Sequence, residues 1–310
     1  MHIVQVLSGQ IRQYKRSAIL TPVFTLLEVL MEILIPFVTA SLIDQGIQAG
    51  NMERILHYGL IMLIMAFASL LFGILGGVFA SDASTGFAAN LRDSMYANIQ
   101  TFSFSNIDKY STAGLVTRMT TDVTNLQNAF MMIIRIAVRA PLMMIIALVM
   151  CIVISPKISL IFLGALVILG AFLVVVIGRA SEAFRATFRK YDDLNASVQE
   201  NVSAIRVVKA FVREDYEKTK FNKAVEELYK LFVRAEKLVV MNMPVMTLIV
   251  DACIIGVSWL GSHQIVGGTM TTGELTSLFS YIMMVLFSLM MVSMIFVMLT
   301  MSAASAQRIC

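Results

Sequence analysis

Six long apolar runs decide what this chain can fold into. They lie near Ser17–Ile43, Leu56–Phe79, Phe130–Ser155, Ile158–Gly178, Val239–Gly261 and Thr276–Leu299. A run of about 20 apolar residues matches the helix that crosses a hydrocarbon core, where no water can satisfy an unpaired backbone. The breaks between runs are polar or helix-stopping: Asp44–Gln45–Gly46, Ser155–Pro156–Lys157 and Gly267–Gly268–Thr269. The fold class that follows is all-α, a polytopic membrane protein of six transmembrane helices. Composition agrees. Only 14% of the residues are charged, against about a quarter in soluble domains, and the mean hydropathy is +0.81.

Lys and Arg are distributed unevenly between the connections. Arg12, Lys15 and Arg16 precede the first run, Arg92, Lys109 and Arg118 follow the second, and the stretch from Arg179 to Lys237 is dense in both residues. The opposite side has only Arg54 and Lys157. The basic side is expected to be cytoplasmic, which puts both termini inside. Residues 1–16 read as a short amphipathic helix in the headgroup plane, with Ile3, Val4, Val6, Leu7 and Ile11 set among Gln5, Gln10 and Arg12. The run that follows is too long for a secretion signal and has no small-residue cleavage site behind it.

The two long inner connections are helical by pattern. Ser81 to Phe102 contains no Pro, and Phe184, Phe188, Tyr191, Val198 and Ile205 recur at helical steps. The spans therefore continue as helical hairpins near residues 80–130 and 179–238, with tips near Ser105–Tyr110 and Ile205–Glu214. A helix from Leu56 to Phe102 would be about 70 Å long, some 40 Å more than the bilayer core needs. Helices of this kind must pack on each other or on a partner.

Ionisable residues inside the spans are costly and usually line a cavity or pair with one another. Glu28 and Glu32 share one face of the first span, and Arg135 and Arg139 share one face of the third. Glu28 lies roughly 16 Å and Glu32 roughly 22 Å into the first span, and Arg139 lies roughly 24 Å from Ser155, within reach of Glu28. Asp251 falls at a depth similar to that of Glu32. These residues read either as a polar substrate cavity or as ion pairs that fix helix packing. On the sixth run, Ser280, Met284, Phe287, Met291, Met294, Met298 and Met301 repeat on one face. That stripe suits either a promiscuous cavity wall or a helix–helix seam.

Several chemistries are absent. No phosphate-binding glycine loop, nucleophile elbow or metal-spaced His/Cys/carboxylate cluster is present. Cys151, Cys253 and Cys310 form no disulfide framework. Basic residues are not interleaved with exposed aromatics, so nucleic acid is not an expected partner.

At the hairpin tips the sequence becomes specific. Phe102–Tyr110, followed by the run Gly114, Arg118, Asp122 and Val123, resembles the first intracellular hairpin of ABC exporters. Glu200–Glu214 resembles the second coupling region of the same family. Leu42–Gly46 and Ser302–Ile309 also resemble that family. The resemblance covers nearly the whole chain and implies an ABC transporter type 1 (type IV exporter) transmembrane domain over 17–309. It implies a second transmembrane subunit, as a homo- or heterodimer, that receives the fourth and fifth helices. It also implies coupling to nucleotide-binding domains through Asn106, Ile107, Asp108, Lys109, Tyr110, Val207, Val208, Lys209 and Phe211. The substrate cavity would draw on Glu28, Glu32, Arg135, Arg139, Asp251, Met284, Phe287 and Met291. The nucleotide-binding domain is expected after 309, so ATP and Mg would be held outside this chain and no catalytic residue falls within it. A bacterial plasma membrane is the expected location. The competing reading is an ion-coupled secondary transporter or channel that uses Glu28, Glu32 and Asp251.

Overall fold

The structure is a computed structural model that describes residues 2–103 and 112–310. Among these residues there are helices and turns and no strand. In chain order the helices are α1 (His2–Gly9), α2 (Lys15–Leu42), α3 (Met52–Gln100), α4 (Val123–Ile154), α5 (Pro156–Ser203), α6 (Ile205–Ala210), α7 (Glu214–Val240), α8 (Asn242–Val266) and α9 (Thr272–Ile309). A short helix, Thr112–Thr117, leads into α4. Among the described residues, six helical stretches are long and apolar enough to cross a membrane, and each takes in most or all of one apolar run. Helix α3 is unbroken for 49 residues, about 73 Å at the usual rise.

Two compact units are distinguished, Met1–Phe162 with Cys253–Cys310, and Leu163–Ala252. In the first, α2 packs chiefly on α3, and α9 packs chiefly on α4. Pro22, Pro36 and Pro141 sit inside α2 and α4. Transmembrane helices tolerate such residues because neighbouring groups take up the freed backbone. Tyr281, fully buried, donates to the Ile33 carbonyl at 2.9 Å and so joins α9 to α2. Between Leu60 and Val78 every exposed residue of α3 is apolar, including Ile64, Phe67, Leu71 and Ile74, as a lipid-facing surface requires.

Two single π-helical turns interrupt the pattern, Ile43–Ile47 after α2 and Arg118–Asp122 before α4. Such turns rotate the side chains that follow by a fraction of a helical step, and they cluster at functional positions. Each carries an aspartate to one end of α9. Asp44 accepts from the Gly273 N–H at 2.9 Å, beside a Thr271–Glu274 capping box. Asp122 meets Ser305 and Arg308 at the other end.

The N-terminal segment is built onto α3. Ile3, Leu7 and Ile11 pack against a core of Phe87, Ala88, Leu91, Val123, Leu126 and Ala306. The polar side of the same segment is tied down as well. Arg12 donates to Ser94 at 2.8 Å and pairs with Asp93 at 3.4 Å, and Asn90 donates to the Gln10 carbonyl at 2.9 Å. Arg12 takes a positive φ of 40° at the corner between α1 and α2, an uncommon conformation that these contacts offset. The Tyr14 ring lies directly on Gly86, where a Cβ would fall inside it. Gly86→Ala is therefore expected to destabilise the protein by about 1–3 kcal/mol, the usual cost of overpacking. Thermal unfolding in detergent should show a lowered midpoint, and the same substitution in a Tyr14→Ala background should be close to neutral.

Candidate functional site

The polar centre of the first unit lies where α2, α3 and α4 meet. Glu28 and Glu32, one turn apart on α2, point at Arg139 of α4. Arg139 Nη1 donates to Glu28 Oε1 at 2.5 Å, and Nη2 donates to both Glu32 oxygens at 2.7 and 2.8 Å. The Glu28 side chain is only 10% exposed, and those of Arg139 and Glu32 are largely buried. One guanidinium thus neutralises one of two carboxylates, and the triad keeps a formal charge of −1 (two carboxylates against one guanidinium). One turn before Arg139, Arg135 donates to the Gly73 carbonyl at 3.4 Å and adds a second cation near the set.

Helix α3 makes room for these groups with glycines. A Cβ at Gly73 would stand 3.0 Å from Glu28 Oε1, and one at Gly77 would stand 3.3 Å from Arg135 Nη1. Gly76 lies between them beside Thr25. Small residues at four-residue spacing let transmembrane helices approach closely. Here the space they free is filled by charge. Three buried atoms of the cluster, Thr25 Oγ1, Glu28 Oε2 and Arg139 Nε, have no hydrogen-bond partner among the described residues. Unpaired polar atoms in a low-dielectric interior are costly. A polar ligand or water that reached them would relieve that cost.

Of the other residues expected in a cavity, Asp251 belongs to the second unit, where it is exposed and has no polar partner among the described residues. On α9, Leu278, Tyr281, Ile282 and Val285 form the buried face. Met284 is half-buried, and Phe287 (63% exposed) and Met291 lie off that face. Phe287 and Met291 therefore add little to the core of this unit and are open to a ligand or another surface.

Of the residues expected at the hairpin tips, Asn106, Ile107, Asp108, Lys109 and Tyr110 lie outside the described residues. The second tip is described. Helix α5 ends at Ser203, α6 forms one short helix, and α7 begins at Glu214. Val207 (57% exposed) and Phe211 (75% exposed) project outward from the tip. Val208 turns into a groove with Val198, Val202 and Phe221. Lys209 pairs with Glu214 at 3.4 Å across the turn. Val212 has φ 52°, a strained conformation for a β-branched residue. At this turn Phe211 and Val212 both stand exposed.

Sequence reasoning did not foresee the joint between the Gly114–Val123 and Ser302–Ile309 stretches. Asp122, ahead of the apolar run that begins at Phe130, is nearly fully buried. It accepts from Arg308 Nε and Ser305 Oγ, each at 2.9 Å, and from Arg308 Nη2. Asn125 adds a bond to Ser305 at 3.2 Å. The hydrogen-bonded Arg308 guanidinium holds the Asp122 carboxyl below the usual carboxylate range. A carboxyl lowered in the folded state stabilises above its unfolded pKa, and that stability is lost as pH falls through the folded value. Asp122→Asn should therefore lower the thermal midpoint at neutral pH, and the gap from the parent should close as pH falls below the ordinary carboxylate range.

The triad makes a sharper prediction. Removing one partner of a buried ion pair typically costs about 3–5 kcal/mol, whereas removing all the charges can be nearly neutral. Arg139→Leu alone should depress the unfolding midpoint strongly. Combining it with Glu28→Gln and Glu32→Gln should restore most of the loss. Equal midpoints for the single and triple variants would show that the charges do not hold the helices together.

Comparison with known proteins supplies the family context for this geometry. A family model described as the ABC transporter transmembrane region matches residues 18–303. An uncharacterised ABC transporter ATP-binding protein of Bacillus subtilis, YfiB, is 30% identical over 299 residues, covering 96% of this chain and 52% of that protein. An uncharacterised ABC transporter ATP-binding protein of Mycobacterium tuberculosis is 28% identical over 307 residues, 99% of this chain and 53% of its own length. An ATP-dependent lipid A-core flippase of Desulfotalea psychrophila is 31% identical over 167 residues, 52% of this chain and 28% of the flippase. The chain spans about half the length of the first two relatives.

Proposed function

Because the chain belongs to the ABC transporter transmembrane family, we propose that it is the membrane half of an ATP-driven exporter that moves an amphipathic substrate by alternating access. It pairs with a second transmembrane subunit and takes its drive from nucleotide-binding domains, which hold ATP and Mg. The hairpin tips dock on those domains, with both termini cytoplasmic in a bacterial plasma membrane.

The observation that carries this reading is the second tip. Phe211, Val212 and Val207 are exposed apolar residues at the end of a helical hairpin, far along the chain from either apolar run that it joins. An exposed apolar knob on a strained turn suits insertion into a cleft on a partner. Along the same hairpin, Phe188, Tyr191, Val198 and Val202 also remain exposed. That stripe suits coverage by a second subunit. Inside the membrane, a polar centre with unmet hydrogen-bonding capacity, beside a methionine-lined helix, suits an amphipathic ligand. An ion-coupled carrier would use the carboxylates but has no need of helices that run tens of ångströms past the bilayer.

The test uses the complete transporter with its ATPase domains. Val207→Ala with Phe211→Ala is expected to leave membrane insertion and assembly intact. Substrate-stimulated ATP hydrolysis and transport should fall by about an order of magnitude, the effect of losing 1–2 kcal/mol at a docking anchor. Normal coupled turnover in the double variant would overturn the docking role.

A further inference from the structure

In the second unit a groove of about 800 Å³ opens between α5 and α7. Its lining includes four basic side chains, Arg179, Lys230, Arg234 and Lys237, and one acid, Glu182. Lys230 is engaged by Glu226 at 2.8 Å. Arg179, Arg234 and Lys237 have no carboxylate partner among the described residues. Three cations outside any ion pair therefore face one cleft, against the single acid Glu182.

The position of the cleft along the chain matters as much as its charge. Arg179 follows directly on the apolar run that ends at Gly178, and Lys237 comes just before the run that begins at Val239. Both helices thus cross the edge of the hydrocarbon core at this level. Leu231 and Leu238 supply apolar wall beside the cations. Basic pockets between transmembrane helices at a membrane edge have the chemistry that holds lipid phosphates. The apolar wall is what an acyl-linked glycerol requires, and a free inorganic anion makes no use of it.

We propose that this groove is a binding site for the headgroup of an anionic glycerophospholipid. Arg179, Arg234 and Lys237 grip the phosphodiester, and Leu238, on the membrane side of these cations, meets the glycerol and the upper acyl chain. The site is independent of the triad at α2–α4 and involves no transported substrate. Bound there, the lipid would fill the space between α5 and α7 and tie the base of the hairpin to the bilayer.

The test uses the complete transporter in nanodiscs of phosphatidylcholine with increasing phosphatidylglycerol, read by native mass spectrometry as retained lipid. The parent is expected to retain phosphatidylglycerol in preference to phosphatidylcholine. Each basic residue at an anionic surface is worth about five-fold in affinity, so Arg179→Gln, Arg234→Gln and Lys237→Gln together should weaken retention on the order of 100-fold. These side chains are exposed, so the unfolding midpoint in pure phosphatidylcholine should not change. Neutralising Lys218, Lys220 and Lys223 near the hairpin tip should leave retention intact, and excess inorganic phosphate should not displace the lipid. The proposal is overturned if retention ignores headgroup charge, if both triple variants lose it equally, if inorganic phosphate competes fully, or if the groove variants change subunit association and leave lipid binding unaltered.

Discussion

Two carboxylates in the middle of a membrane helix need a cation, and Arg139 is the residue that supplies it. Its two terminal nitrogens reach Glu28 and Glu32 on the facing helix, so a single side chain sets the rotation of α2 against α4. The rest of the first unit adjusts to that contact. Helix α3 can come close only because Gly73 and Gly77 present no side chain where the carboxylate and Arg135 lie. Lipid offers no hydrophobic reward for bringing helices together, so packing and polar pairing have to do it. The arrangement is strong at the paired atoms and unfinished at Thr25, Glu28 Oε2 and Arg139 Nε. A centre that is rigid yet leaves polar atoms unmet is suited to holding its shape while admitting a guest.

Beyond the apolar runs the balance of forces changes. There α3 is covered by residues that would otherwise lie free at the N-terminus, with Ile3, Leu7 and Ile11 on its apolar side and Gln10, Arg12 and Gln13 on its polar side. In the second unit α5 and α7 share fewer close contacts and leave grooves between them. The contrast matches the two roles that the family and the tips suggest. The part nearest the polar centre is braced within the chain, and the hairpin keeps surface available for other molecules.

Much of this was legible in the sequence, and particular residues show where legibility stopped. The six spans and the hairpin helices follow from apolar length and helical period, which depend on no distant contact. Helical spacing placed Glu28 with Glu32, and depth along the helices matched Arg139 to Glu28, as the structure has it. Depth also gave Asp251 a level similar to that of Glu32. Depth carries no information about which way a helix faces; Asp251 belongs to the second unit, where it is exposed. The heptad stripe on α9 was visible as a face, whereas the neighbour of that face depends on tertiary packing. Asp44 and Asp122 were visible only as members of motifs. Their partners could not be read because π turns shift the register that helical spacing assumes. Gly73 and Gly77 do carry a signal, the four-residue spacing of small residues, but that spacing does not say that charged side chains from α2 and α4 fill the space they leave.

The two aspartates at the ends of α9 have a consequence for the order in which the protein is made. Helix α9 follows the other five spans in chain order, so it leaves the ribosome after them. Until it arrives, Asp44 and Asp122 have been synthesised without Gly273, Ser305 or Arg308 to meet them. A nascent chain halted before α9 would present unmatched carboxylates at both edges of the bilayer, with a buried seat such as that of Asp122 left open. Helix α9 therefore closes this unit at two points at once, and a cell surveying membrane proteins for exposed polar groups would have a signal of whether that helix had yet been inserted.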